Sequence, residues 1–261
     1  MKTTPVGSSQ SADLRANREA WWSRATPFEF RHRVVIIAIL YTLGFGAFWN
    51  VPVGSATSQT TWLVLSSLLA STHALGLSSA TIFVTAMALC CGIIGTALRV
   101  WGTAHLGATT MTDGDMRSRR IVASGPYRHI RNPLYLGSWL LSIPILLLMP
   151  VAGAIFVLVG LSIFFLRLIA REEFHLGEKL GESYLSYCTR VPRLLPTLVG
   201  GVSPMGAQPR WMQALPAEFF ALSFTACFAI LAWRYNAQLL TRCVLVCFGL
   251  SLIVRAMRKP R

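Results

Sequence analysis

The stretch that decides the reading of this chain is GPYRHIRNPLYLGSWLLSIPILLLMPVAGAIFVLVGLSIFFLRLIAREEFHLGEKLGESYLSYCTRVPRLLP, residues 125–196. A basic loop, 125–137, leads into two nearly charge-free runs joined at Met149-Pro150, and these end in a charged tail that begins with Arg171, Glu172 and Glu173. Proline lacks the N–H that a continuing helix needs, so the junction predicts the tip of a helical hairpin. A hairpin returns its ends to one side. Tyr135 at its start and Glu172 at its end are therefore expected side by side.

Outward from this core, the composition sets the class. The chain is 54% apolar and only 13% charged, which is the balance of an integral membrane protein and an unusual one for a soluble core. Apolar runs at 34–49, 62–77, 82–101, 134–149, 151–170, 219–233 and 239–256 predict an all-α integral membrane bundle of about six or seven transmembrane helices. A cytoplasmic cofactor pocket would sit at the base of the hairpin. Five regions follow: a tail and interfacial segment (1–33), N-terminal spans (34–101), the core block (102–196), a Gly/Pro-rich linker (197–214) and a C-terminal pair of spans (215–261). Residues 1–30 show no secretory leader pattern.

The net charge of +14 fits basic residues flanking membrane segments on the cytoplasmic side, where they also meet anionic lipid headgroups. They are scattered between spans instead of forming one stripe, so nucleic acid is not an expected partner. Placing Arg117, Arg119, Arg120, Arg128 and Arg131 on the cytoplasmic side leaves the Arg-rich N-terminus opposite if all three preceding runs cross. Either that rule fails there or one run does not cross.

Of the six cysteines, five fall in apolar runs, and Cys188 lies in the charged tail. His105, His129 and His175 do not form a metal set, no H-x-x-x-H or C-x-x-C spacing occurs, and no G-x-G-x-x-G turn follows a strand, so neither a metal site nor a soluble nucleotide-binding domain is expected. Arg167, near the end of an apolar run, is a functional candidate by its cost alone, with snorkelling to the interface as the plain alternative.

The order G-P-Y, R-x-P-x-Y-x-G, hairpin, E-E pair, G-x-x-Y-x-x-Y and V-P-R-x-x-P resembles the isoprenylcysteine carboxyl methyltransferase family and its phospholipid methyltransferase relatives. One departure is Asn132, where the family usually has His before the proline; Asn keeps hydrogen bonding but carries no charge. The resemblance implies a methyltransferase that takes S-adenosylmethionine and a lipid-like acceptor reaching the site from the bilayer. It implies a donor pocket lined by Arg119, Arg120, Ile121 and Val122 on one wall and by Tyr127, Asn132, Pro133, Leu134 and Tyr135 on the other. Glu172, with Glu173 beside it, would accept the ribose hydroxyls. An arginine shortly before the E-E pair would face the acceptor carboxylate: Arg167 or Arg171, with Arg131 as a second candidate. The expected reaction is methylation of a carboxylate such as an isoprenylcysteine. An amine of a phospholipid, an NADPH-dependent sterol-type reduction and a non-catalytic protein of the same fold remain as alternatives.

Overall fold

The computed structural model describes residues 24–46, 59–106, 123–203 and 208–234, together with Val246 and Gly249. The expected pocket wall Arg119, Arg120, Ile121 and Val122 lies outside the described residues, as do Arg117, the tail before Arg24 and nearly all of the run 239–256. The described chain is helical: α1 (Pro27–Arg31), α2 (Arg33–Gly46), α3 (Thr61–Ser71), α4 (Leu77–Leu106), a 3₁₀ turn (Gly125–Arg128), α5 (Pro133–Leu147), α6 (Val151–Leu180), α7 (Glu182–Arg190), α8 (Trp211–Ala217) and α9 (Phe219–Arg234). No strand occurs among the described residues.

Two helices, α4 and α6, are long and apolar enough to cross a membrane. The bent pair α8 and α9, which meet at 64°, makes a third if it is one span. Helices α2, α3 and α5 are apolar but shorter. Among the described residues the helices of crossing length therefore number two or three, and α3 and α5 are shorter than the roughly 20 residues that a crossing needs. The first four residues of α8 fall within the stretch read as linker.

The hairpin tip is where Pro150 predicts it. Helix α5 starts with Pro133 at its first position, where a missing N–H costs nothing, and α6 begins directly after Pro150. Thr61 at the start of α3 closes the tip: its backbone N–H and its hydroxyl both donate to the Met149 carbonyl, at 2.8 and 2.9 Å. Met149 itself is fully buried.

Helices α4 and α5 share the largest helix-helix contact, and glycines set its closeness. A Cβ on Gly95 would stand 2.6 Å from the Gly137 carbonyl oxygen and 2.8 Å from the Leu141 nitrogen, so the two backbones touch directly. Gly102 likewise makes room for Leu134 and Pro133. On the other side of the hairpin, Val157, Leu161, Phe164, Phe165 and Leu168 of α6 form a core with Phe30 of α1 and with Ile36, Ile37 and Leu40 of α2. Meanwhile Ile82, Phe83, Met87, Ile93 and Ile94 of α4 and Ile155, Phe156, Val159 and Ile163 of α6 are exposed, the apolar faces of a bundle in lipid.

The α4–α5 crossing generates a prediction. Gly95→Ala should force the two backbones apart and lower the melting temperature in detergent, at a cost of about 1–3 kcal/mol. Gly76→Ala, where a Cβ meets nothing within 4 Å, should leave it unchanged. Equal melting of both variants would remove the crossing as a determinant of the fold.

Candidate functional site

The site is built at the base of the hairpin, where α5 begins and the charged end of α6 returns. Tyr135, in the first turn of α5, donates its hydroxyl to Oε1 of Glu172 at 2.9 Å, across 37 positions of sequence. Its ring meets Phe165 edge-on with centroids 5.6 Å apart. The two residues expected to meet therefore do. Glu172 is half-buried, and among the described residues its second oxygen is in no hydrogen bond.

Glu173, the next residue, is used differently. It is buried, and both oxygens are taken: Oε1 accepts from Asn132 Nδ2 at 3.0 Å and pairs with Arg131 at 3.3 Å, while Oε2 receives two N–H groups of Arg193 at 2.9 and 2.7 Å. Asn132 spends the rest of its amide on the Arg193 carbonyl at 3.1 Å. The basic loop, the end of α6 and the V-P-R tail are thus pinned at one carboxylate. Burial opposes the Arg131 charge, but Glu173, Cys188 and Tyr184 together outweigh it and hold that guanidinium above its ordinary pKa.

The G-P-Y turn is fitted under the end of α4. Gly125 has φ +57°, in the left-handed region that glycine adopts without cost, and the His105 ring stands 2.5 Å from where a Cβ would be. Tyr187 of the G-x-x-Y-x-x-Y stretch donates to the Tyr127 carbonyl at 2.7 Å, and Tyr184 and Tyr187 pack with Ala123 and Val191 into a small cap. Tyr127 is buried, yet among the described residues its hydroxyl finds no hydrogen-bond partner. Burial, reinforced by the charges of Glu172 and Glu218, pushes this phenol well above its ordinary pKa, while Arg99 pulls the other way. A buried phenol O–H left open is normally satisfied by something.

The three arginines expected near the acceptor are each engaged by the protein. Arg167 Nη2 contacts both oxygens of Glu29 at 3.1 and 2.9 Å, Arg171 donates to the Ala25 carbonyl at 3.0 Å, and Arg131 pairs with Glu173. Glu29 sits in a capping box with Thr26 at the start of α1, so the segment just before α2 straps the end of α6. Arg24 completes the strap over the Phe174 ring at 3.9 Å. Cys188 lies beside Arg131, but burial raises its thiol and keeps it protonated.

A further polar cluster was not anticipated from the sequence. Arg99, deep in α4, donates from Nε to Oε2 of Glu218 at 2.7 Å and from Nη1 to the Ser138 hydroxyl; Thr103 donates to Oε1 of Glu218 at 2.7 Å. Glu218, at the joint of α8 and α9, is 2% exposed. A lone Arg inside an apolar run carries the same signal as Arg167, and a charge there is costly enough to have raised the question.

A comparison with known families bears directly on this geometry. Residues 81–183 match the phospholipid methyltransferase family model. The matched segment runs from α4 to the start of α7 and contains Arg99, Tyr127, Asn132, Tyr135, Glu172 and Glu173, so the membrane methyltransferase resemblance read in the motifs stands. Glu29, Arg193 and Glu218 lie outside it. No curated protein and no solved structure matches the chain.

The unequal use of the two glutamates can be measured. Glu173→Ala should lower the melting temperature, because it leaves Arg131 and Arg193 without their partner, at a cost of about 1–3 kcal/mol. Glu172→Ala removes one hydrogen bond at a half-buried position and should melt within a few degrees of the unsubstituted protein.

Proposed function

We propose that this protein transfers the methyl group of S-adenosylmethionine to the headgroup of a lipid-like acceptor at the membrane. The observation that carries the reading is the meeting of Tyr135 with Glu172 at the base of the hairpin, inside the segment that matches a methyltransferase family. The open groups fit the donor. Glu172 keeps one carboxylate oxygen for a ribose diol, and Tyr127 keeps a buried O–H for a polar atom. Asn132 has both amide protons committed to Glu173 and the Arg193 carbonyl, so its part is to hold the loop in place. Leu134 and Pro133 pack against Gly102 and carry the loop to α4.

When bound, the sulfonium donor supplies an electrophilic methyl group, so little is asked of the chain beyond alignment and the exclusion of water. Tyr135 orients the Glu172 carboxylate. The Tyr184 and Tyr187 cap, fastened to the Tyr127 carbonyl, closes the outer side of the turn. The basic residues around the loop and tail argue for a donor side facing the cytoplasm. O-methylation of a carboxylate is the first reading, since that acceptor is already ionised at neutral pH and needs no base. The family description favours a second, N-methylation of a phospholipid amine, in which a proton must leave the nitrogen before attack.

Two measurements test the proposal. Calorimetry of the detergent-extracted protein should show binding of S-adenosylhomocysteine and none of NADPH; the reverse would point to a reductase. Glu172→Ala should abolish that binding while the protein still melts cooperatively, and normal binding by the variant would move the donor contact elsewhere. Incubating membranes with methyl-labelled donor should yield a labelled lipid, and release of the label in mild base separates a methyl ester from an N-methyl product.

A further inference from the structure

The two long helices fix the level of the bilayer boundary at the base of the hairpin. At 1.5 Å per residue, Glu173 stands about 33 Å along α6 from Val151, and Trp101 stands about 36 Å along α4 from Leu77, each close to the roughly 30 Å of a hydrocarbon core. The two ends are level with each other, because Gly102 of α4 packs against Pro133 and Leu134 at the start of α5. Tryptophan marks the same level. Trp101 is exposed on the flank of α4, and the Arg210 N–H donates to the Ala104 carbonyl at 2.8 Å, which brings exposed Trp211 to the end of that helix. Aromatic residues gather where a bilayer meets water.

A loop leaves the bundle at this level. It starts at Arg193, held by Glu173, and its backbone is tied down on one side: Thr197 N–H to the His129 carbonyl at 3.0 Å, Gly201 N–H to the Arg128 carbonyl at 2.9 Å, and Arg128 Nε to the Val202 carbonyl at 2.8 Å. At Gly201 a Cβ would stand 2.2 Å from the Arg190 carbonyl oxygen, so the loop lies directly on the end of α7. On its other side Leu195, Leu198 and Val199 are 80%, 100% and 82% exposed, and beyond the loop Met212 is 85% exposed. Single exposed apolar residues are ordinary, but three within five positions of a tethered chain make a patch. The charge around it has one sign. Residues 183–217 contain Arg190, Arg193 and Arg210 and no Asp or Glu, and Arg190 and Arg210 are exposed.

We propose that residues 195–199 and Trp211–Met212 are an anchor in the bilayer boundary at the base of the hairpin. Leu195, Leu198, Val199, Trp211 and Met212 enter between the lipid headgroups, and Arg190 and Arg210 meet anionic headgroups. The occupant of the patch is the lipid surface, because the patch lies at the depth where the two long helices leave the hydrocarbon and its charge complements anionic lipid. A second copy of the chain would bring the same positive charge to the same patch. The anchor is independent of methyl transfer and requires only that the bundle sits in a membrane. It also gives a purpose to a stretch that lies outside the family-matched segment. Since Arg193 at the head of the loop fills Glu173, the anchored chain and the carboxylate that gathers loop, helix and tail are joined through one residue.

The test uses the full chain in lipid nanodiscs loaded with one copy each. Residues 194–210 form a tryptic peptide with no native cysteine, so both readouts can be taken from it by mass spectrometry. In the wild type, phosphatidylglycerol with a diazirine near the head of its acyl chain should leave adducts on this peptide after illumination, at least three-fold more than the matching phosphatidylcholine. Arg190→Gln should reduce that preference. The double variant Leu198→Asp, Val199→Asp should lose adducts of both lipids at least five-fold while melting within a few degrees of the wild type, since both side chains are exposed. In Leu198→Cys, an uncharged polyethylene glycol maleimide should react at least ten-fold slower than with the same peptide released by trypsin. Adducts on the exposed faces of α4 and α6 but none on 194–210, with fast maleimide reaction, would make the loop water-exposed and overturn the proposal. Slow reaction without adducts would put protein on the patch and overturn it equally. Equal labelling by the two lipids would overturn the role given to Arg190 and Arg210.

Discussion

A single buried carboxylate organises the functional end of this molecule. Glu173 accepts from Asn132 on one oxygen, beside Arg131, and from two N–H groups of Arg193 on the other. The loop before α5 and the tail after α7 are also joined by backbone bonds, from the Arg131, Thr197 and Gly201 N–H groups to the Pro192, His129 and Arg128 carbonyls, and Glu173 ties the end of α6 to both. A buried carboxylate is tolerated only when its acceptor capacity is filled, and here it is. With Glu173 spent on structure, its neighbour Glu172 is left with an open oxygen beside Tyr135. Two adjacent residues of one type thus divide the work by their surroundings alone.

The hairpin and its consequence were legible because they depend on local chemistry. Pro150 falls between the two apolar runs, where its missing N–H favours a break, and Pro133 suits a first position; Pro144, carried inside α5, shows that proline alone does not end a helix. The meeting of Tyr135 and Glu172 then needs only the geometry of a hairpin. Gly125 and Gly137 stood in the motifs but their reasons did not, because a positive φ under His105 and a stem of Arg99 lying on a bare backbone depend on a third element. Hydropathy shows that a run is apolar and not how its helix ends, and α3 and α5 stop short of a crossing length. Residues 119–122 and the run 239–256 were read from sequence and lie outside the described structure, apart from Val246 and Gly249.

Long-range ion pairs were the part that spacing could not supply. Glu29 with Arg167 and Glu218 with Arg99 join residues 138 and 119 positions apart. Sequence marks each arginine as costly in an apolar run but says nothing of its partner. The family match covers Arg99 and Arg167 but neither glutamate, so both partners come from segments outside it. In each case an element outside the matched core fixes a charge within it.

The direct contact of backbones at Gly95 and Gly137 has a mechanical meaning. With no side chain between them, α4 and α5 have nothing there to compress or swing aside, so this crossing acts as a fulcrum. Any parting of the two helices must be taken up away from it. Toward the base of the hairpin the next contact past the fulcrum is Gly102 against Leu134 and Pro133.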